Sequence, residues 1–135
     1  MKKRILVVDD EPELGQLISI FLGTAGFEVL SLCDGRQALE TLERYSPDLV
    51  ICDMIMPIMD GITTIQAIRA DPRTRSIPII MLSARGQAHD VERAFSAGAN
   101  DYITKPFRGA EIVATGKKNL MEKPTNAITL IHEHV

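Results

Sequence analysis

No apolar run in these 135 residues approaches the roughly 20 residues of a membrane span. Lys3 and Arg4 precede an apolar run of only four residues, Ile5 to Val8, too short for a secretory signal core. A cytoplasmic location is therefore expected, with no membrane partner. Cysteine is scarce. Cys33 and Cys52 cannot build a disulfide framework and read as reduced, small hydrophobes. Positive charge is not in excess either. The formal net charge is −3, so no general nucleic-acid footprint is present and direct nucleic-acid binding is not expected. No repeat or low-complexity tract occurs, and no G-x-G-x-x-G follows the first apolar run, which argues against a dinucleotide-binding domain.

What is present is ordinary for a globular chain, with 45% hydrophobic and 24% charged residues. One domain of this length buries about two-thirds of its unfolded surface. Strand-like runs alternate with amphipathic stretches. The runs at 5–8, 27–32, 49–52, 77–82 and 101–104 read as strands. Pro12 suits a first helical turn, and Leu14, Leu17, Ile18, Phe21 and Leu22 then trace one buried face up to Gly26. A second helix starts at Asp34 or Gly35 and breaks at Ser46-Pro47-Asp48. A third opens at Asp60-Gly61 and closes near Asp71-Pro72. A fourth carries Val91, Ala94 and Phe95 and ends at Gly98. A fifth covers 109–122, weakened by Gly116 on the face of Ile112 and Leu120. Five βα units predict an α/β fold: a doubly wound, five-stranded parallel sheet with helices on both faces, in the flavodoxin-like order 2-1-3-4-5.

That topology gives the polar residues an address. Asp9 and Asp10 follow the first strand, Asp53 the third, Ser83 the fourth and Lys105 the fifth. All lie at carboxyl ends of strands, where open α/β sheets bind ligands. Three converging carboxylates repel one another unless a cation sits among them. Hard oxygen ligands suit Mg²⁺, which takes one or two carboxylates plus phosphate oxygens. Alone, Asp10 or Glu11 could merely cap the first helix, and Asp53, Ser83 and Lys105 could be ordinary loop residues. Their joint placement argues otherwise.

The stretches V-V-D-D-E at 7–11, I-C-D-M-I-M-P-I-M-D-G at 51–61, L-S-A at 82–84 and D-Y-I-T-K-P-F at 101–107 resemble the receiver domain of two-component response regulators, including single-domain chemotaxis-type receivers. The resemblance covers residues 4 to about 120. It implies that Asp53 accepts a phosphoryl group from a histidine kinase or phosphotransfer protein. It implies that Asp10, Asp53 and the backbone carbonyl of Ile55 ligate Mg²⁺, with Asp9 helping through water. It further implies that Lys105 contacts the phosphoryl group, that Ser83 and Tyr102 form a switch, and that the bond before Pro106 is cis. The need for Lys105 to turn back toward Asp53 while the chain leaves for the last helix points to the same cis bond. The implied output is altered binding to a downstream protein or effector domain. Such a chain is no enzyme in the usual sense, but a phosphoacceptor that assists its own phosphorylation and dephosphorylation.

Some residues depart from that pattern. Ser83 lacks the methyl of the threonine often found there. Ile55 offers no side chain to orient water, and Arg85 reads as solvated. A Mg²⁺-dependent phosphohydrolase working through an aspartyl phosphate stays open as an alternative, as does an interaction module with incidental phosphorylation. A hydrolase would want an acid placed on water and a cap over its pocket, and neither is visible. Cys33 and Cys52 end strands that the first strand should separate. Two strand spacings of about 10 Å exceed the ~7 Å limit for a bridge, so none is expected. Residues 1–122 are read as the receiver and 123–135 as a tail matching nothing known. The tail is too short for a helix-turn-helix module, so the chain is either stand-alone or a piece of a longer protein. Its Ile128, Leu130 and Ile131 could pack, and His132 and His134 read as solvated.

Overall fold

The computed structural model describes residues 2–121. The tail reading, with His132 and His134, lies outside the described residues. Five strands occur in chain order: β1 (Arg4–Val8), β2 (Glu28–Leu32), β3 (Leu49–Asp53), β4 (Ile79–Ser83) and β5 (Asp101–Thr104). They alternate with α1 (Pro12–Thr24), α2 (Gly35–Tyr45), α3 (Gly61–Ala70), α4 (Ala88–Ala97) and α5 (Gly109–Met121). All strand pairs are parallel, in the order β2-β1-β3-β4-β5. Central β1 shows why its residues are apolar throughout: Ile5 pairs with Val29 on one side and Leu49 on the other.

Strand alternation splits the core into two layers. Leu6, Val8, Val50, Cys52, Ile79 and Met81 face α2, α3 and α4 through Ala38, Leu42, Ile65, Ile68 and Ala94. Ile5, Val7, Leu49, Ile51, Ile80, Leu82 and Ile103 face α1 and α5 through Ile18, Leu22, Ile112 and Leu120. Each fully buried Ile or Leu contributes about 1.5–3 kcal/mol. Gly116 is buried in the second layer, with room for a methyl group.

Helix ends follow local chemistry. Asp34 Oδ1 accepts the Gln37 N–H at 2.7 Å, and Asp60 Oδ1 accepts the Thr63 N–H at 2.8 Å. Gly26 leaves α1 with φ +100, a conformation glycine adopts without a Cβ penalty. Three expectations need correction. β4 begins at Ile79, not Ile77, because Pro78 has no N–H to give and the Ile77 carbonyl is taken by Arg69 at 2.6 Å. β3 and β4 run one residue further than read, so Asp53 and Ser83 are the last strand residues. Leu17 is exposed, since α1 buries Gly15, Ile18 and Leu22. Both cysteines are free, Cys52 in the core and Cys33 exposed.

Two arginines lace the edge where the strands begin. Arg69 donates to the carbonyls of Gly98 (3.0 Å), Arg75 (2.9 Å) and Ile77 (2.6 Å), and to Asn100 Oδ1 (2.8 Å). Arg4 donates to the Tyr45 carbonyl at 2.8 Å and pairs with Glu28 at 3.2 Å. Among the described residues, no helix is long and apolar enough to cross a membrane.

Candidate functional site

The opposite edge of the sheet carries the polar residues. β1 delivers Asp9 and Asp10, β3 delivers Asp53, β4 delivers Ser83, and Lys105 follows β5. Carboxylate oxygens of Asp9, Asp10 and Asp53 all lie within 4.8 Å of one another. Asp9 is fully buried and Asp53 is 4% exposed. Lys105 Nζ stands 3.2 Å from Asp9 Oδ2 and 3.4 Å from Asp53 Oδ2. The Lys105 N–H donates to the Ser83 carbonyl at 2.7 Å, so β4 sets where the lysine starts. The Lys105–Pro106 bond is cis.

Close backbone packing places Asp53. A Cβ at Gly61 would overlap the Asp53 carbonyl oxygen, so only glycine lets α3 begin this near the strand end. The Ile55 N–H reaches toward Asp53 Oδ1 at 3.5 Å, while the Ile55 side chain is half exposed. In the same loop Ile58 has φ +71, a strained setting for a β-branched residue.

The electrostatics follow from this crowding. Burial, then repulsion from Asp9, push the Asp53 carboxyl up to about 7, with Lys105 opposing. Burial also raises Asp9, against the Glu11 N–H and Lys105. Burial pulls the Lys105 ammonium down, but Asp9 and Asp53 outweigh it and leave it above its ordinary value. One cation thus faces several acids. Asp9 Oδ2 is buried and accepts no hydrogen bond in good geometry. An under-satisfied, all-oxygen donor set of this kind fits a small hard dication such as Mg²⁺.

Ser83 is 1% exposed, and its Oγ accepts the Arg85 N–H at 3.0 Å. The Tyr102 hydroxyl donates to the Arg85 carbonyl and lies 3.7 Å from Met54 Sδ. The Arg85 side chain is solvated as read, but its main chain links Ser83 to Tyr102. Glu11 precedes α1 at the cap position that its sequence place suggests. Its side chain caps nothing; instead its N–H donates to Asp9 Oδ1 at 2.9 Å and its carboxylate lies 3.7 Å from Lys105 Nζ. The run of three acids in D-D-E was the available signal.

Comparison with known proteins places this geometry. The family model described as the response regulator receiver domain matches residues 5–117. The DNA-binding dual master transcriptional regulator RpaA of Synechocystis is 42% identical over 111 residues, covering 82% of this chain and 46% of that protein. The DNA-binding response regulator MtrA of Mycolicibacterium smegmatis is 41% identical over 120 residues, covering 89% of this chain and 51% of that protein. The chain thus spans about half the length of these curated relatives. The chemotaxis response regulator CheY4 of Vibrio cholerae superposes with a TM-score of 0.83 at 30% identity, over 87% of this chain and 98% of that one. The receiver domain of sensor histidine kinase PA1611 from Pseudomonas aeruginosa, solved with a magnesium ion in its active-site cleft, gives 0.82 at 34% identity, over 89% and 98%. On fold, cleft and sequence together, the chain belongs to the response regulator receiver domains of two-component signalling.

Proposed function

We propose that Asp53 accepts a phosphoryl group from a histidine kinase or phosphotransfer protein in a Mg²⁺-dependent reaction, and that the modified chain changes its binding to a downstream protein or effector domain. The supporting observation is the placement of Lys105 Nζ between Asp9 and Asp53 at 3.2 and 3.4 Å. A carboxylate oxygen of Asp53 attacks phosphorus while the bond from phosphorus to the donor breaks and its electron pair leaves with the donor. Such a transfer needs positioning and charge neutralisation more than covalent help. Lys105 supplies one positive charge as a point ammonium. Bound Mg²⁺, held by Asp10, Asp53 and the Ile55 carbonyl with Asp9 beside them, would supply the remaining neutralisation and keep Asp53 ionised at neutral pH.

Ser83 has one hydroxyl proton to donate to a phosphoryl oxygen. Turning toward it loosens the Ser83 bond to Arg85, whose carbonyl Tyr102 holds. The loop after β4 is then the element that reads the modification. The apolar side chain of Ile55 orients no water, which favours a phosphoacceptor over a turning-over phosphohydrolase. The site of action is the cytoplasm, and residues 1–122 are the receiver unit. The test is incubation with Mg²⁺ and acetyl phosphate. The wild type is expected to gain one base-labile phosphoryl group, and Asp53→Asn none. Equal labelling of that variant, or continuous release of inorganic phosphate from acetyl phosphate without a labelled protein, would overturn the assignment.

A further inference from the structure

One buried, unmet acceptor and one donor with no protein partner lie within one turn at the start of α4. The first is Asp90, the third residue of the helix, only 2% exposed. Its Oδ1 touches no solvent and accepts no hydrogen bond. His89 Nε2 stands 3.5 Å away, an ion pair when the imidazole is protonated but not a hydrogen bond in this geometry. The second is the helix start itself. Gln87, the residue before α4, makes no side-chain cap, and among the described residues its N–H donates to no protein acceptor. Both residues line a recess of about 310 Å³, together with Ala84, Arg85, Gly86 and His89.

An acid at the third helical position can reach back to the N–H of the residue preceding the helix, satisfying both groups at once. Gln87 already has the extended backbone this requires, with φ −75 and ψ 151. The contact is unmade here, and the loop that would have to shift is the one held by Ser83. Arg85, two residues before Gln87, donates its N–H to Ser83 Oγ and accepts from Tyr102. Gly86 between them lies against Thr104, where an added Cβ would come within 3.3 Å. Withdrawal of Ser83 frees Arg85 on one side only.

We propose that Asp90 is a positioning residue for this loop: its Oδ1 accepts the Gln87 N–H when Ser83 is drawn toward a phosphoryl group on Asp53. The closed contact stiffens the first turn of α4 and favours the phosphorylated arrangement. The inference rests on Asp53 being the phosphoacceptor.

Amide hydrogen exchange at Gln87, with and without Mg²⁺ and acetyl phosphate, tests it. In the wild type, exchange is expected to slow on the order of tenfold upon phosphorylation. Asp90→Asn retains an acceptor and keeps most of the slowing, whereas Asp90→Ala abolishes it. Gln87→Pro gives a second arm, because φ −75 suits proline and the substitution removes the donor. There the ¹³C shift of the Asp90 carboxyl, which moves on phosphorylation in the wild type, is expected to stay still. Normal phosphoryl uptake with unchanged Gln87 exchange, or equal slowing in Asp90→Ala, overturns the role of Asp90 and leaves Asp53 standing. No uptake by the wild type overturns the Asp53 reading and this inference with it.

Discussion

Replacing Asp53 with asparagine should make the metal-free protein more stable, and the gain should grow with pH. The folded state holds the Asp53 carboxyl at about 7, against an ordinary value of 3.8. A raised acid binds its proton more tightly when folded than when unfolded. Stability therefore falls as pH rises from the unfolded value to the folded one, and the loss is complete above about 7. A shift of roughly 3 units corresponds to about 4 kcal/mol at 1.36 kcal/mol per unit. Asparagine removes the ionisation but also forfeits the attraction to Lys105 at 3.4 Å. The net gain expected is about 2–4 kcal/mol at pH 8 and under about 1 kcal/mol at pH 4. Urea denaturation of both proteins in chelator, across that pH range, measures it. Adding Mg²⁺ should then stabilise the wild type more than the variant, closing the gap. A variant less stable than wild type at pH 8 without metal, or a difference independent of pH, would refute the view that Asp53 is held as an electrostatically frustrated anion.

Asp10→Ala should weaken Mg²⁺ binding at least tenfold on the 10–100-fold scale typical of perturbed metal sites, read by titration; unchanged affinity would move the metal elsewhere. Gly116→Ala should raise stability by about 0.5–1 kcal/mol, because a Cβ there meets only Leu49 Cδ2 at 3.7 Å and Leu22 Cδ2 at 3.8 Å. Thermal melts with a lower midpoint for that variant would show the layer has no such room. Ile58→Asn should gain about 1 kcal/mol, since Ile58 is 82% exposed and holds φ +71, which asparagine tolerates. Loss of stability on that exchange would mean the Ile58 side chain contributes packing.

The sheet and the cleft were legible for one physical reason. Parallel strands are buried on both faces, so ILVV, LVIC and IIML stand out as unbroken apolar runs, and topology alone sends their carboxyl ends to one edge. Asp9, Asp10, Asp53 and Lys105 gather there as expected. Helix faces were less legible. Periodicity marks a stripe but not its centre, so Leu17 read as buried although its side chain is exposed. Asp90 was invisible because an acid in a first helical turn looks like an ordinary complement to the helix dipole. The Arg69 bonds join main-chain carbonyls, which carry no side-chain signature in a sequence. The last residues of β3 and β4 were missed because strand pairing continues through Asp53 and Ser83, polar residues that an apolar-run criterion cuts off.

The arginine lacing has a consequence for engineering. The forks of Arg4 and Arg69 rivet loops at the edge where strands begin, whereas at the other edge one ammonium stands among mutually repelling acids. The molecule resembles a hand fan pinned at its base, with its charged cleft at the rim. Loops at the rim can be lengthened, swapped or recoded with little effect on the pin, so new recognition surfaces can be grafted there. The same graft at the base would cut the carbonyls of Tyr45, Arg75, Ile77 and Gly98 from the guanidinium groups that hold them.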